Sequence, residues 1–168
     1  MAQSVQNANS RFTSWCNLGG PTLTSMGRLV EERLLPFYLA AGFERVFVHL
    51  RDPADAVNGR EICLERSCGN EIDVVLFNFD KQRRPAFQVH LHRREIGSPH
   101  TWVRAANLVR RPSQYLHFWG KPWWLPTRYW TEHMSASTVK CVGEITDGAL
   151  AFLERDERCR NISKPVND

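Results

Sequence analysis

The sequence predicts an α+β fold in which a four-stranded antiparallel meander is covered on one face by an N-terminal and a C-terminal helix. Two observations lead to this prediction: apolar residues recur at helical spacing near both ends, and four segments with alternating apolar and polar residues lie between them. The length of 168 residues and the 42% of hydrophobic residues fit a single domain with its own core. Within 1–168 we distinguish a polar leader (1–23), a helix–sheet–helix unit (24–155) and a polar tail (156–168) that is expected to fray.

The first helix is predicted to begin near Ser25, with Thr24 or Ser25 as its N-cap. Pro36 removes one backbone donor, so it should either kink this helix or mark the first turn of a second, short one. Gly42 fits the left-handed residue that often follows a helix. The apolar stripe of this helical region consists of Met26, Leu29, Val30, Leu34, Phe37 and Ala41.

The predicted strands cover residues 45–50, 60–66, 71–79 and 85–93. A two-residue turn at Gly69–Asn70 between the second and third strands fixes their register. It sets one charge pair and two apolar pairs opposite each other: Arg66 with Asp73, Leu64 with Val75, and Ile62 with Phe77. A five-residue connection around Lys81 then sets Phe77 beside Phe87 and Val75 beside Val89. The first helix is expected to cover the resulting apolar face.

The closing helix is predicted from a second stripe of apolar residues, with Ser135 or Ser137 as its start. Gly143 and Gly148 each weaken it by up to about 1 kcal/mol relative to alanine, so packing on the sheet must supply most of its stability. The stripe consists of Val139, Val142, Ile145, Ala149, Phe152 and Leu153.

Composition restricts the compartment and the partners. The first twelve residues are polar, unlike a secretory signal, and the longest nearly apolar run, 34–43, is about half of the ~20 residues that cross a bilayer. The five cysteines are scattered and form no C-x-x-C pair, which favours a reducing cytoplasm. The net charge of +4 is small for a nucleic-acid-binding protein. We therefore predict a cytoplasmic protein that binds neither membranes nor nucleic acid.

No motif of a serine hydrolase, P-loop, dinucleotide-binding or zincin enzyme occurs in the sequence, which favours a non-enzymatic protein without a cofactor. One alternative is a metal-dependent hydrolase, because His90 and His92 alternate on a predicted strand and would point the same way. The predicted register places the apolar Val74 and Ile72 beside them, and no third ligand is obvious. We therefore predict no metal site.

Residues 102–130 contain five of the six tryptophans together with several arginines. Trp, Tyr and Arg dominate protein interfaces, because they bury a large area and still carry a polar group. The alternative is that these rings cover a sheet edge or fill space beside the closing helix, where Pro112, Pro122 and Pro126 interrupt regular structure. If the segment is extended, Trp123 and Trp124 point opposite ways. The predicted contact residues are Trp119, Trp123, Trp124, Arg128 and Trp130.

Three short motifs resemble a bacterial domain family of unknown function: Leu34-Leu35-Pro36 followed by Gly42-Phe43, strands ending in Phe87-Gln88-Val89, and a last helix ending in Phe152-Leu153. The resemblance spans roughly residues 25–155. Such small α+β families are similar to immunity proteins of polymorphic toxin systems. The resemblance implies a non-catalytic protein that neutralises a bacterial toxin by covering it.

Overall fold

The structure is a computed structural model that describes residues 20–46, 60–97, 101–110 and 116–164. These ranges contain four α-helices, one 3-10 helix and seven strands. The helices are α1 (Gly20–Arg33), α2 (Leu35–Ala40), α3 (Glu132–Gly143) and α4 (Thr146–Arg155), and the 3-10 helix is Thr127–Tyr129. The strands are β1 (Glu44–Val46), β2 (Glu61–Cys68), β3 (Glu71–Phe79), β4 (Ala86–Glu95), β5 (Trp102–Leu108), β6 (Phe118–Trp119) and β7 (Ile162–Ser163).

The strands form one antiparallel sheet in the order β1-β2-β3-β4-β5-β7, and β6 pairs with β4. The α+β class and the antiparallel sheet are confirmed. The prediction of four strands is wrong, since the described residues contain seven. Strand β5, which the sequence does not predict, opens the aromatic-rich segment 102–130. Residues 47–50 of the predicted first strand lie outside the described residues.

The expectation that the polar tail 156–168 frays is wrong at Ile162–Ser163, because these residues form β7 and pair with β5. Ile162 is buried there, and the neighbouring Asn161 binds Val109 through both its side chain and its backbone carbonyl. A strand of two residues has no periodicity to detect, which explains why the sequence does not predict it.

The register of β2 and β3 is confirmed at all three predicted pairs, including Arg66 opposite Asp73. The register of β3 and β4 differs from the prediction by two residues: Phe77 faces Val89, and Phe79 faces Phe87. The hairpin stays paired as far as Asp80, whose amide donates to the carbonyl of Ala86 at 3.0 Å. A shift of two residues keeps every side chain on its predicted face of the sheet.

The N-terminal helix begins at Gly20, within the predicted leader, so Thr24 and Ser25 lie inside the helix and do not cap it. The Thr24 hydroxyl donates to the carbonyl of Gly20 at 3.1 Å. Pro36 lies in the first turn of α2, which confirms the second of the two alternatives for this proline. Gly42 has a φ of +85°, as expected for a left-handed residue after a helix.

The closing helix is not continuous, because α3 ends at Gly143 and α4 begins at Thr146. Helix α3 starts at Glu132, so the prediction of Ser135 or Ser137 as its start is wrong. The Thr146 hydroxyl donates to the carbonyl of Val142 at 3.1 Å and links the two helices across the break.

Side chains from the four helices and from one face of the sheet share a single hydrophobic core. Phe77, Phe79, Phe87 and Phe118 form a chain of ring contacts with centroids 5.6–6.2 Å apart. Phe37 is the exception in the predicted helical stripe, since 51% of its surface is exposed.

One end of the core face carries a buried ion cluster. The carboxylate of Asp73 is fully buried and accepts hydrogen bonds from Arg93 Nε at 2.6 Å and from Arg66 Nη2 at 2.8 Å. Arg66 also donates to the carbonyl of Ala41 at 2.9 Å, beyond the end of α2. The cluster ties the helical layer to the sheet.

Candidate interaction surface

The chain leaves β6 and forms a tight turn that places two tryptophans at its tip. The amide of Leu125 donates to the carbonyl of Pro122 at 3.0 Å, so Trp123 and Trp124 are the two central residues of the turn. The prediction that the two rings point opposite ways required an extended segment. The segment forms a turn instead, so this prediction does not apply. The 3-10 helix Thr127–Tyr129 follows directly.

The rings of this segment are more exposed than any core aromatic side chain. Trp123 is 70% exposed, Trp124 is 66% exposed and Tyr129 is 55% exposed. Burying one such indole against a partner would contribute roughly 3 kcal/mol of transfer free energy. We call Trp123, Trp124, Arg128 and Tyr129 the aromatic surface.

The turn is fixed from its inner side by Lys121. This side chain is 7% exposed, and its ammonium donates to the carbonyls of Leu125 at 2.5 Å and Pro122 at 3.4 Å. Burial, and to a smaller extent the nearby charge of Arg84, lowers the pKa of Lys121. A charge-assisted donor shared between the two ends of the turn holds its backbone in one conformation. The entropy lost on binding a partner is therefore smaller than for a mobile turn.

Trp119 and Trp130 lie on either side of the turn in the sequence and connect this segment to α3. The indole Nε1 of Trp130 donates to the hydroxyl of Ser135 at 3.0 Å, and the Thr138 hydroxyl donates to the carbonyl of Trp119 at 2.7 Å. Both indoles are half-buried. Of the five predicted contact residues, these two therefore support the surface, while Trp123, Trp124 and Arg128 lie on it.

Tyr129 is an exposed ring that the predicted contact set leaves out. The guanidinium carbon of Arg128 lies 4.9 Å from the centroid of the Tyr129 ring, so the cation and the ring form one unit. The adjacent Arg-Tyr pair in the sequence was the available signal.

His90 and His92 lie on the face of the sheet opposite the core. His90 pairs with Leu76 and His92 with Val74, so the predicted neighbours Val74 and Ile72 are each displaced by two residues. The two rings are stacked with centroids 6.2 Å apart. The ring of Trp102 stacks on His92 at 4.3 Å, which continues the row onto β5.

Both ring nitrogens of His90 are close to side-chain amide oxygens. Nδ1 lies 2.6 Å from Asn107 Oδ1, and Nε2 lies 3.1 Å from Gln88 Oε1. Gln88 in turn contacts His117, whose pKa is lowered mainly by burial. Among the residues that the structure describes, no group of three or more His, Cys, Asp or Glu is arranged to hold a metal ion. In the described residues, His90 therefore forms part of a polar network, and His92 belongs to a row of stacked rings.

In the residues that the structure describes, the chain is an α+β protein with a seven-stranded antiparallel sheet and an exposed aromatic turn. None of the helices in the described ranges is long and apolar enough to span a membrane. Comparison of the chain with protein-family models, with curated proteins and with solved structures finds no significant match. The resemblance to immunity proteins therefore stays a prediction.

Proposed function

We propose that the protein has a non-enzymatic role and binds another protein through the aromatic surface. The observation that carries the proposal is the exposure of two adjacent tryptophans, 70% and 66%, on a turn held by a buried lysine. Large apolar side chains exposed together are unfavourable in water unless a partner covers them. Tryptophan, tyrosine and arginine are also the residues that most often dominate binding energy.

The position of the surface supports binding more than core packing. Trp119 and Trp130 are half-buried and bonded to α3, whereas Trp123 and Trp124 are mostly exposed, so we expect the fold not to require the last two for its stability. Their replacement by alanine should leave the circular dichroism spectrum and the melting temperature nearly unchanged, since exposed substitutions usually change stability by less than about 0.5 kcal/mol.

The resemblance to immunity proteins leads us to propose a bacterial toxin as the particular partner and the cytoplasm as the compartment. Neutralisation of a toxin requires only that a surface be covered, which agrees with a protein that presents contact residues and has no catalytic motif. The chemistry of the surface does not depend on this narrower proposal.

The proposal is tested by affinity capture with the tagged protein from cells that carry its gene. The captured protein is then identified, purified and titrated against the wild-type protein and its variants. Wild-type protein should bind it, and Trp123→Ala/Trp124→Ala should bind at least about 30-fold more weakly, as expected for a loss of about 2 kcal/mol at a hot spot. The matched control is Phe37→Ala/Leu39→Ala, which removes two exposed apolar side chains (51% and 47%) from α2.

The result against the proposal is equal binding by the wild-type protein and the double tryptophan variant. Binding of the purified protein only to lipid vesicles or to single-stranded DNA would also contradict it, because it would assign the aromatic surface to another class of partner.

A further inference from the structure

The positive charge of the protein is concentrated around the aromatic surface. Residues 80–84 and 118–130 together contain five Lys or Arg and one Asp. This excess of four positive charges equals the net charge of the whole chain, +4, so the remaining residues are balanced. The two segments therefore carry a local excess of positive charge.

The two segments are in contact in the structure. The amide of Gly120 donates to the carbonyl of Pro85 at 2.6 Å, and Trp119 pairs with Ala86. The guanidinium carbon of Arg84 lies 4.8 Å from the centroid of the Trp119 ring. The loop between β3 and β4 therefore lies against the base of the aromatic turn, and we call residues 81–84 the basic loop.

The single carboxylate within the two segments does not cancel the charge at the surface. Asp80 is 7% exposed and points inward, where it accepts hydrogen bonds from the amides of Gln82 and Arg84 and from the Arg84 side chain. Lys81 and Arg83 stay exposed. Asp80, the carboxylate nearest to Lys81 and Arg83 in the sequence, is thus paired with Arg84.

Arg83 adds an independent observation, because its backbone has a φ of +60°. Glycine or asparagine adopts this left-handed conformation at lower cost than arginine does. Residues held in this conformation are a reason to look for a function. Despite the cost, the exposed turn carries a long cationic side chain at this position.

We infer that the partner is a protein whose contact surface combines carboxylates with an apolar patch, the carboxylates facing the basic loop and the patch covering Trp123 and Trp124. This inference depends on the proposed function. Complementary charges fix the register of an interface and raise the association rate. An acidic protein fits better than a nucleic acid, because the rings of the aromatic surface lie together on one turn and a 3-10 helix, whereas single-strand binders stack successive bases along a charged groove.

Selection from a displayed library of random twelve-residue peptides tests the inference, because such a library offers acidic, basic and apolar sequences in equal competition. Peptides recovered by the wild-type protein should be enriched at least threefold in Asp and Glu and should also contain apolar residues. Synthetic versions of these peptides should bind Lys81→Glu/Arg83→Glu at least tenfold more weakly than wild type. The control Lys140→Glu reverses an exposed charge on α3, outside both segments, and should bind as wild type does.

The outcomes separate this inference from the proposed function. Peptides that lose binding to Trp123→Ala/Trp124→Ala but show no acidic enrichment would overturn the acidic partner and leave the proposed function standing. Peptides that bind Trp123→Ala/Trp124→Ala as tightly as wild type would count against both the acidic partner and the proposed function. Tight binding of an oligothymidine single strand, lost in the charge-reversal variant, would assign the basic loop to nucleic acid and overturn the inference.

Discussion

Replacement of Asp80 by asparagine tests whether this buried carboxylate organises the basic loop. The carboxylate accepts four hydrogen bonds: the amides of Gln82 and Arg84 donate at 3.0 and 3.3 Å, and Arg84 Nε and Nη2 donate at 3.0 and 2.7 Å. Asparagine keeps one acceptor oxygen but loses the charge, and charged hydrogen bonds are roughly twice as strong as neutral ones. The Arg84 side chain is 45% exposed, which reduces its share through solvent screening.

The expected cost of Asp80→Asn near neutral pH is about 2 kcal/mol of unfolding free energy, or a melting temperature lower by about 4–8 °C for a domain of this size. Urea unfolding followed by circular dichroism measures the free energy. Burial alone would raise the pKa of Asp80, but hydrogen bonds from the side chain and backbone of Arg84 and from Gln82 hold it below its ordinary value of 3.8.

The lowered pKa gives this prediction a pH signature. A carboxylate whose pKa is lower in the folded state stabilises the fold above its unfolded pKa, and this contribution is lost as the pH falls through the folded value. The difference between wild type and Asp80→Asn should therefore be full at about pH 7 and shrink below about pH 4. Glu144→Gln, which alters an exposed pair with Lys140, is the control and should cost less than about 0.5 kcal/mol. Equal stability at neutral pH, or a difference that does not change with pH, would refute the reasoning.

Three further variants test the fold and the site. Asp73→Ala removes the buried carboxylate shared by Arg66 and Arg93, which keep Glu154 and Glu71 as partners, and should cost about 3 kcal/mol in urea unfolding. Gly120→Ala would place a methyl group against Met26 and at 2.5 Å from Ser135 Oγ, so its melting temperature should fall by an amount that corresponds to about 1–3 kcal/mol. Elemental analysis of untagged wild-type protein and of His90→Ala should find no stoichiometric transition metal in either.

These three predictions have clear contrary results. Wild-type stability of Asp73→Ala would show that the ion cluster does not tie the helices to the sheet. Gly143→Ala is the control for Gly120→Ala, because its nearest neighbours lie at an ordinary 3.7 Å, and equal effects of the two would contradict the steric argument. A metal present in wild type and lost in His90→Ala would favour the hydrolase alternative.

The sequence predicts the parts of the fold that depend on local periodicity and turn chemistry. Gly69–Asn70 fixes the β2–β3 register, because one charge pair and two apolar pairs agree with a single two-residue turn. The β3–β4 register is two residues off because the connection, still five residues long, comprises residues 81–85 between the paired Asp80 and Ala86, and residue counting places it at 80–84. The backbone and carboxylate contacts of Asp80 that set this position have no periodic signal in the sequence. Strand β7 depends on a long-range pairing with β5 that no local pattern carries.

The sequence predicts which segment forms the candidate site, but it does not predict which of its residues are exposed and which pack against α3. The enrichment of tryptophan and arginine singles out residues 102–130, but exposure is decided by the turn at Trp123–Trp124 and by the bond from Lys121 to Leu125. Sequence spacing does not show that Trp119 and Trp130 pack against α3. It also does not show that the basic loop, distant in sequence, lies against the same segment.

The central claim is that a protein partner covers the tip of the aromatic turn, and site-specific photo-crosslinking tests it most directly. A photoreactive phenylalanine analogue is placed at Trp124 in one variant and at Leu39, exposed on α2, in another. The account predicts a single discrete protein adduct from position 124, with an acidic contact peptide in the mass spectrum, and none from position 39. No adduct at position 124, or an adduct only to nucleic acid or lipid, would contradict it.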